Sequence, residues 1–266
     1  MRVPDPGVCR VLPLCGTAVL DQQEPPPYRR INEQGSAPLL IACDHAENTI
    51  PKSLNGLGLS AAHLRRHIAY DIGAKQVSLL LSKRFDAPLL LSEYSRLVID
   101  LNRHLDDPTL IVEESDGIPV PGNMNLTDEM VKQRKETFFH SYHEQYQKMV
   151  GALVSRCSRP VILSVHSFTP AMNGVHRPWE MGVLWDRNEG FARRVIERLA
   201  TVTGFWIGEN EPYPATDPEG YAQVAYGHEP GVDFALLEIR QDLISSQQGQ
   251  QKISRLIHEA FVPILG

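Results

Sequence analysis

From Pro38 onward the chain alternates short apolar runs with segments of helical length, and this alternation limits its possible folds more than any other feature. The runs 38–43, 160–165 and 233–239 are nearly continuous in aliphatic residues, the pattern of strands buried on both faces. Further strand candidates are 87–92, 96–101, 182–185 and 204–207, and helix candidates are 60–84, 128–155, 189–202 and 248–263. Strands interleaved with helices of that length predict a layered α/β fold. Only Glu93-Tyr94-Ser95 separates 87–92 from 96–101, too little chain for a helical crossover. That pair reads as a hairpin or one bent strand, and the sheet is expected to be mixed.

A chain of 266 residues buries a large core without staples and fits one α/β domain, expected over 37–266. Residues 1–36 lack periodicity and include Glu24-Pro25-Pro26-Pro27-Tyr28, which predicts an extended N-terminal arm. The net charge of −6 comes from interspersed signs, so neither nucleic acid nor a membrane surface is an expected partner. Val8 to Leu20 is mostly apolar, but Pro13 interrupts it and no cleavage site follows, and no segment reaches the roughly 18 apolar residues of a membrane span. The four cysteines form no C-x-x-C pair, which fits a reducing, cytoplasmic setting with Cys43 as a core residue.

Two histidines stand where strand candidates end, His45 after 38–43 and His166 after 160–165. A third run brings Glu238 to the same kind of place. The carboxyl edge of an α/β sheet is where such folds build their sites. Imidazoles on separate loops are the usual ligands of a catalytic zinc, and an acid in an apolar strand needs compensation or a role, such as the general base for water. The bland reading of Glu238 pairs it with Arg240. Asp44, Glu47 and Asn48 are nearby second ligands for His45.

In 95–104, Arg96, Asn102 and Arg103 surround an apolar core; with Arg177 they suggest an anionic substrate, since guanidinium groups grip carboxylates bidentately. His63 and His67 lack the glutamate of an H-E-x-x-H motif, and His140 and His143 sit in an aromatic stripe that reads as core. Ser167 has no G-x-S-x-G elbow. The Pro-, Gly- and Asn-rich segments 102–126 and 208–232 are expected to be lids or binding loops, and whether the second, with Tyr213, Tyr221, Tyr226 and His228, closes over substrate is left open by its sequence.

Taken in order, Cys43-Asp44-His45-Ala46-Glu47-Asn48-Thr49-Ile50-Pro51, Tyr70-Asp71-Ile72-Gly73-Ala74, Ser95-Arg96 through Asn102-Arg103, His166-Ser167-Phe168-Thr169-Pro170, Asn210-Glu211-Pro212-Tyr213 and Glu238 through Ile244 resemble the N-formylglutamate amidohydrolase family. The resemblance runs from about residue 38 to the C-terminal helix. It implies a three-layer α/β/α hydrolase fold with a mixed central sheet, similar to the zinc carboxypeptidases and aspartoacylase. It further implies a zinc site with His45 and His166 as ligands, Glu238 as base, and Asn102 with Arg103 holding a substrate carboxylate. Arg96 would stabilise the oxyanion. The carboxypeptidase motif has glutamate where this chain has Asn48; the second ligand is then Asn48 itself, Glu47, Asp44 or Asp71. The implied reaction is hydrolysis of N-formyl-L-glutamate to formate and glutamate. Alternatives are another N-acyl amino acid deacylase, a metallo-carboxypeptidase, or a metal-free binding protein on the same scaffold.

Overall fold

In the computed structural model, which describes residues 18–172, 174–214 and 220–266, seven strands form one mixed sheet. In chain order they are β1 (Tyr28–Ile31), β2 (Leu39–Cys43), β3 (Leu89–Ser92), β4 (Val161–Phe168), β5 (Met181–Leu184), β6 (Ile207–Glu209) and β7 (Asp233–Arg240). Their spatial order is β1-β3-β2-β4-β7-β5-β6. The centre, β3-β2-β4-β7, is parallel; β1 runs antiparallel to β3, and β5 antiparallel to β7.

Period-two alternation sends the strand side chains into two separate cores. Leu39, Ile41, Leu163, Val165, Leu237 and Ile239 face α1 (Ala74–Phe85), α4 (Glu189–Thr203) and α6 (Gln247–Leu265). Leu40, Ala42, Ile162, Phe234 and Leu236 face the opposite layer, where α2 (Asp128–Arg134) continues through a π turn, Lys135–His140, into α3 (Ser141–Arg156), with α5 (Tyr221–Gly227) beside it. This is the expected three-layer α/β/α fold. Among the described residues no helix is long and apolar enough to cross a membrane.

Three local expectations change. The apolar run 96–101 is not a strand: it follows a series of turns, with Leu97 buried in one cluster and Val98, Ile99 and Leu101 in another. An apolar run without a period is buried on two sides, which composition alone cannot tell from a strand. Ser95 favours the turn, its Oγ donating to the Ala69 carbonyl and accepting from the Leu97 N–H. The sheet is mixed instead through β1 and β5. Part of the expected arm is therefore an edge strand, Tyr28 to Ile31, while residues 1–17, with most of the apolar stretch 8–20, lie outside the described residues.

The helix expected over 60–84 is broken. A single turn, Ala61–Leu64, capped by Ser60, is separated from α1 by an irregular stretch ending at Gly73. Gly73 has φ 84° and packs so tightly on the Ile244 carbonyl that a Cβ would overlap it. Only glycine fits both conditions. The break holds Asp71 outside any helix, with its N–H donating to the His45 carbonyl at 2.9 Å.

Candidate active site

β2, β4 and β7 converge on one cluster of buried titratable groups. In the β4–β7 register His166 lies directly beside Glu238, so both side chains leave the same face of the sheet. His45 is two residues past the end of β2, where the chain turns out of the ladder. The His45 and His166 rings are 5.0 Å apart between centroids, nearly perpendicular. Asp71 completes the set: its Oδ2 is 2.9 Å from His166 Nδ1 and 3.4 Å from His45 Nδ1. Ligand atoms of His45, Asp71 and His166 all fall within 4.8 Å of one another.

The far side of each imidazole faces a carboxylate. His45 Nε2 is 2.7 Å from Asp100 Oδ1, and His166 Nε2 lies 3.0 Å from Ser164 Oγ and 3.6 Å from Asp44 Oδ2. Asp100 Oδ2 in turn accepts from Arg96 Nε at 3.0 Å and Nη2 at 2.6 Å. His45 Nδ1, Asp44 Oδ2 and Glu238 Oε2 are buried without a hydrogen-bond partner among the described residues. Orphaned buried polar atoms of this kind ask for an explanation.

The electrostatics point the same way. Burial and then Arg96 disfavour the His45 imidazolium, yet Asp100 and Asp71 outweigh them and raise its pKa. Burial likewise opposes the charged form of His166, and Asp44 and Asp71 overcome it and hold the pKa well up. The Asp71 carboxyl is held low against its burial by His45 and His166. Glu238 goes the other way: burial, with Asp71 adding to it and His166 opposing, pushes it up to about 7. Four buried carboxylates, Asp44, Asp71, Asp100 and Glu238, thus face one guanidinium and two histidines. Protons on the two imidazoles and on Glu238 balance these charges, and a divalent cation bound there would take the place of the imidazolium protons.

Two nitrogens and a carboxylate oxygen, with a carboxylate behind each histidine, form a donor set suited to a divalent transition metal such as zinc. His45, Asp71 and His166 fit that ion; Asn48 does not join them. Its amide nitrogen donates to the Leu64 carbonyl at 2.7 Å, and the residue does not line the cleft above the cluster. Glu47 is also turned away, paired with Lys75. Asp71, at the helix break, places a carboxylate beside the two histidines where position 48 has none.

The cleft has a volume of about 360 Å³. His45, Asp71, Arg96, His166 and Glu238 line it, as do Asn102 and Arg103. Asn102 is also structural: its Oδ1 accepts from the Ala222 N–H at 3.2 Å and caps α5, which has no cap of its own. Its Nδ2 has no acceptor among the described residues. Arg177 does not itself line the cleft; its guanidinium lies 4.8 Å from the ring centroid of Tyr213, which does, and donates to the Tyr213 hydroxyl. Arg240 pairs with Asp242 and Glu180, leaving Glu238 to the cluster.

Two cleft-lining residues have no role assigned from the sequence: Asp100, and His67, which lacks the glutamate of an H-E-x-x-H motif and lies 3.7 Å from Asp116. Asp100, within an apolar run that reads as strand, carries no local signal of its own. The segment 208–232 holds β6 and α5 rather than one long loop, and 215–219 of that segment lie outside the described residues.

A family profile for N-formylglutamate amidohydrolase matches residues 37–245. Among solved structures, a gene product of Agrobacterium tumefaciens superposes with TM-score 0.88 at 29% identity, over 92% of this chain and 99% of that one. The N-formylglutamate amidohydrolase of Ralstonia eutropha JMP134 is similar in fold, with TM-score 0.73 at 19% identity over 90% of this chain and 97% of that one. A search of curated protein sequences finds no match. With the profile covering most of the sheet and every element of the cluster, the chain belongs to the N-formylglutamate amidohydrolase family and is an amidohydrolase.

Proposed function

We propose that the chain is a divalent-metal-dependent deformylase that hydrolyses N-formyl-L-glutamate, or a closely similar small anionic N-acyl amino acid, to the free acid and the amino acid. The observation carrying this reading is the packing of His45, Asp71 and His166 ligand atoms within 4.8 Å of one another, with Glu238 in register beside His166. Those three residues would hold the ion, and zinc suits their donor set. Once bound, the ion supplies Lewis-acid polarisation of the amide and acidifies water.

The chain's own groups carry the proton and the substrate. Glu238 Oε2, buried and unpartnered, takes a proton from water and returns it to the leaving nitrogen; burial raises its pKa to about 7, matched to that task near neutral pH. Arg96 lines the cleft with its charge locked by Asp100, which suits it to face negative charge growing on the amide oxygen. Arg103 and the Asn102 Nδ2 supply donors for a substrate carboxylate, and Arg177 braces Tyr213 in the cleft lining.

The test is direct. Protein purified without added metal is assayed for bound zinc and for formate release from N-formyl-L-glutamate, with N-acetyl amino acids and short peptides as competitors. Near-stoichiometric zinc, with activity lost on chelation and preference for the formyl substrate, is the expected result. Full activity in chelator would sink the metal dependence, and faster turnover of acetylated substrates or peptides would move the substrate assignment.

A further inference from the structure

Behind His166, away from the cleft, lies a carboxylate that the reaction above does not use. Asp44 follows the end of β2 and is 1% exposed. Its Oδ1 accepts from the Tyr142 hydroxyl at 2.6 Å, and its Oδ2, with no hydrogen-bond partner, lies 3.6 Å from His166 Nε2. Tyr142, on α3, is fully buried, its ring 6.1 Å from that of Tyr146. Neither Asp44 nor Tyr142 lines the cleft, so neither meets substrate.

An ionised carboxylate in so dry a place is costly unless it is paired, and one phenol bond does not compensate it. Its remaining oxygen is turned to His166, and the only hydrogen that nitrogen can offer is Nε2–H. Ser164 Oγ, 3.0 Å from the same nitrogen, is the other group able to accept it. With the proton at Nε2, the Nδ1 lone pair points to the cluster, where Asp71 Oδ2 is 2.9 Å away. The corresponding support behind His45 differs, because Asp100 lines the cleft and shares its charge with Arg96.

We propose that Tyr142 and Asp44 are positioning residues, a dry buttress that holds His166 with its proton on Nε2 and its Nδ1 presented to the ion, so that the aromatic core of α3 governs how tightly the site retains metal. The inference rests on the reading that His45, Asp71 and His166 hold a divalent ion. Removing such supports behind a ligand typically weakens metal affinity about 10–100-fold.

The experiment loads the full chain with zinc, removes the excess, and follows zinc transfer to a chromophoric chelator for wild type, Tyr142→Phe and Asp44→Asn. Phenylalanine keeps the packing and deletes only the hydroxyl, so this variant serves even where Asp44→Asn folds poorly. The expected result is faster zinc release, about 10-fold for Tyr142→Phe and more for Asp44→Asn, with metal-free Tyr142→Phe still unfolding cooperatively, at a midpoint lowered by the unpaired Asp44 oxygen. Long-range ¹⁵N–¹H spectra of zinc-loaded wild type should show His166 protonated at Nε2. A zinc-retaining wild type whose two variants release zinc at its own rate, or a His166 proton at Nδ1, overturns the buttress and leaves the metal reading standing. A wild-type chain that takes up no zinc overturns both.

Discussion

The two sides of the cleft are built by opposite means. On one side, His166 and Glu238 are carried by adjacent strands whose backbone ladder fixes their spacing, with His45 just past the end of a third. On the other, Arg96, Asp100, Asn102 and Arg103 sit on a stretch with no regular structure. That stretch is held by buried polar side chains. Arg134, on α2, donates to the Val98 and Gly122 carbonyls and to Asn123 Oδ1, and Asn123 donates to the Leu97 and Val112 carbonyls. His143, on α3, bonds the Leu101 carbonyl through Nε2 at 2.8 Å. The strand side is rigid through backbone and tolerates isosteric side-chain change. The loop side is rigid only while a few polar groups stay in place, so there stability and geometry fail together.

The largest effect expected on the strand side is chemical. Glu238→Gln keeps shape and ladder while removing the proton carrier, so kcat should fall about 10²–10⁴-fold with an unchanged melting temperature. A variant that unfolds earlier, or that keeps its turnover, would break the comparison. The counterpart on the loop side is Arg134→Met. It leaves buried acceptors at Val98, Gly122 and Asn123 unpaired, at a cost on the order of 3–5 kcal/mol, and should lower activity as well, since the displaced segment carries Arg96 and Asp100. Denaturant titration beside the assay would show whether the two losses travel together.

A smaller effect follows from pH. Burial lowers the His143 pKa to about 4, with Asp44 and the Leu101 carbonyl opposing. Its folded value lies below the unfolded value near 6.5, so between those limits the unfolded chain binds more protons and stability falls as pH drops. The contribution is complete above about pH 6.5 and lost by about pH 4, on the order of 3 kcal/mol, and His143→Gln should flatten that part of the stability profile.

The smallest change sharpens the contrast at one residue. Asn102→Asp still accepts the Ala222 N–H and so keeps α5 docked, but it turns a carboxylate toward the cleft. KM for an anionic substrate should rise about tenfold with little change in kcat, the signature of lost uniform binding. Asn102→Ala should in addition speed hydrogen exchange in α5. Equal KM values for wild type and Asn102→Asp would remove Asn102 from substrate binding.

Much of this protein was readable in its order of residues. The central strands, the long helices and the convergence of His45, His166 and Glu238 at one sheet edge follow from periodicities of two and 3.6, which are local properties. The motifs in order were enough to indicate the family. The partners of those residues were not readable. His45 meets Asp100 across 55 positions, His166 meets Asp71 across 95, and Asp44 meets Tyr142 across 98. Asn48, at the expected spacing from His45, is turned to the Leu64 carbonyl, while Asp71, in a segment that reads as helix, comes to lie between the two histidines because Gly73 breaks that helix. Local pattern sets which elements form and which faces are apolar. Which carboxylate reaches which imidazole is decided by how those elements pack, where buried charge must find a partner whatever its distance along the chain.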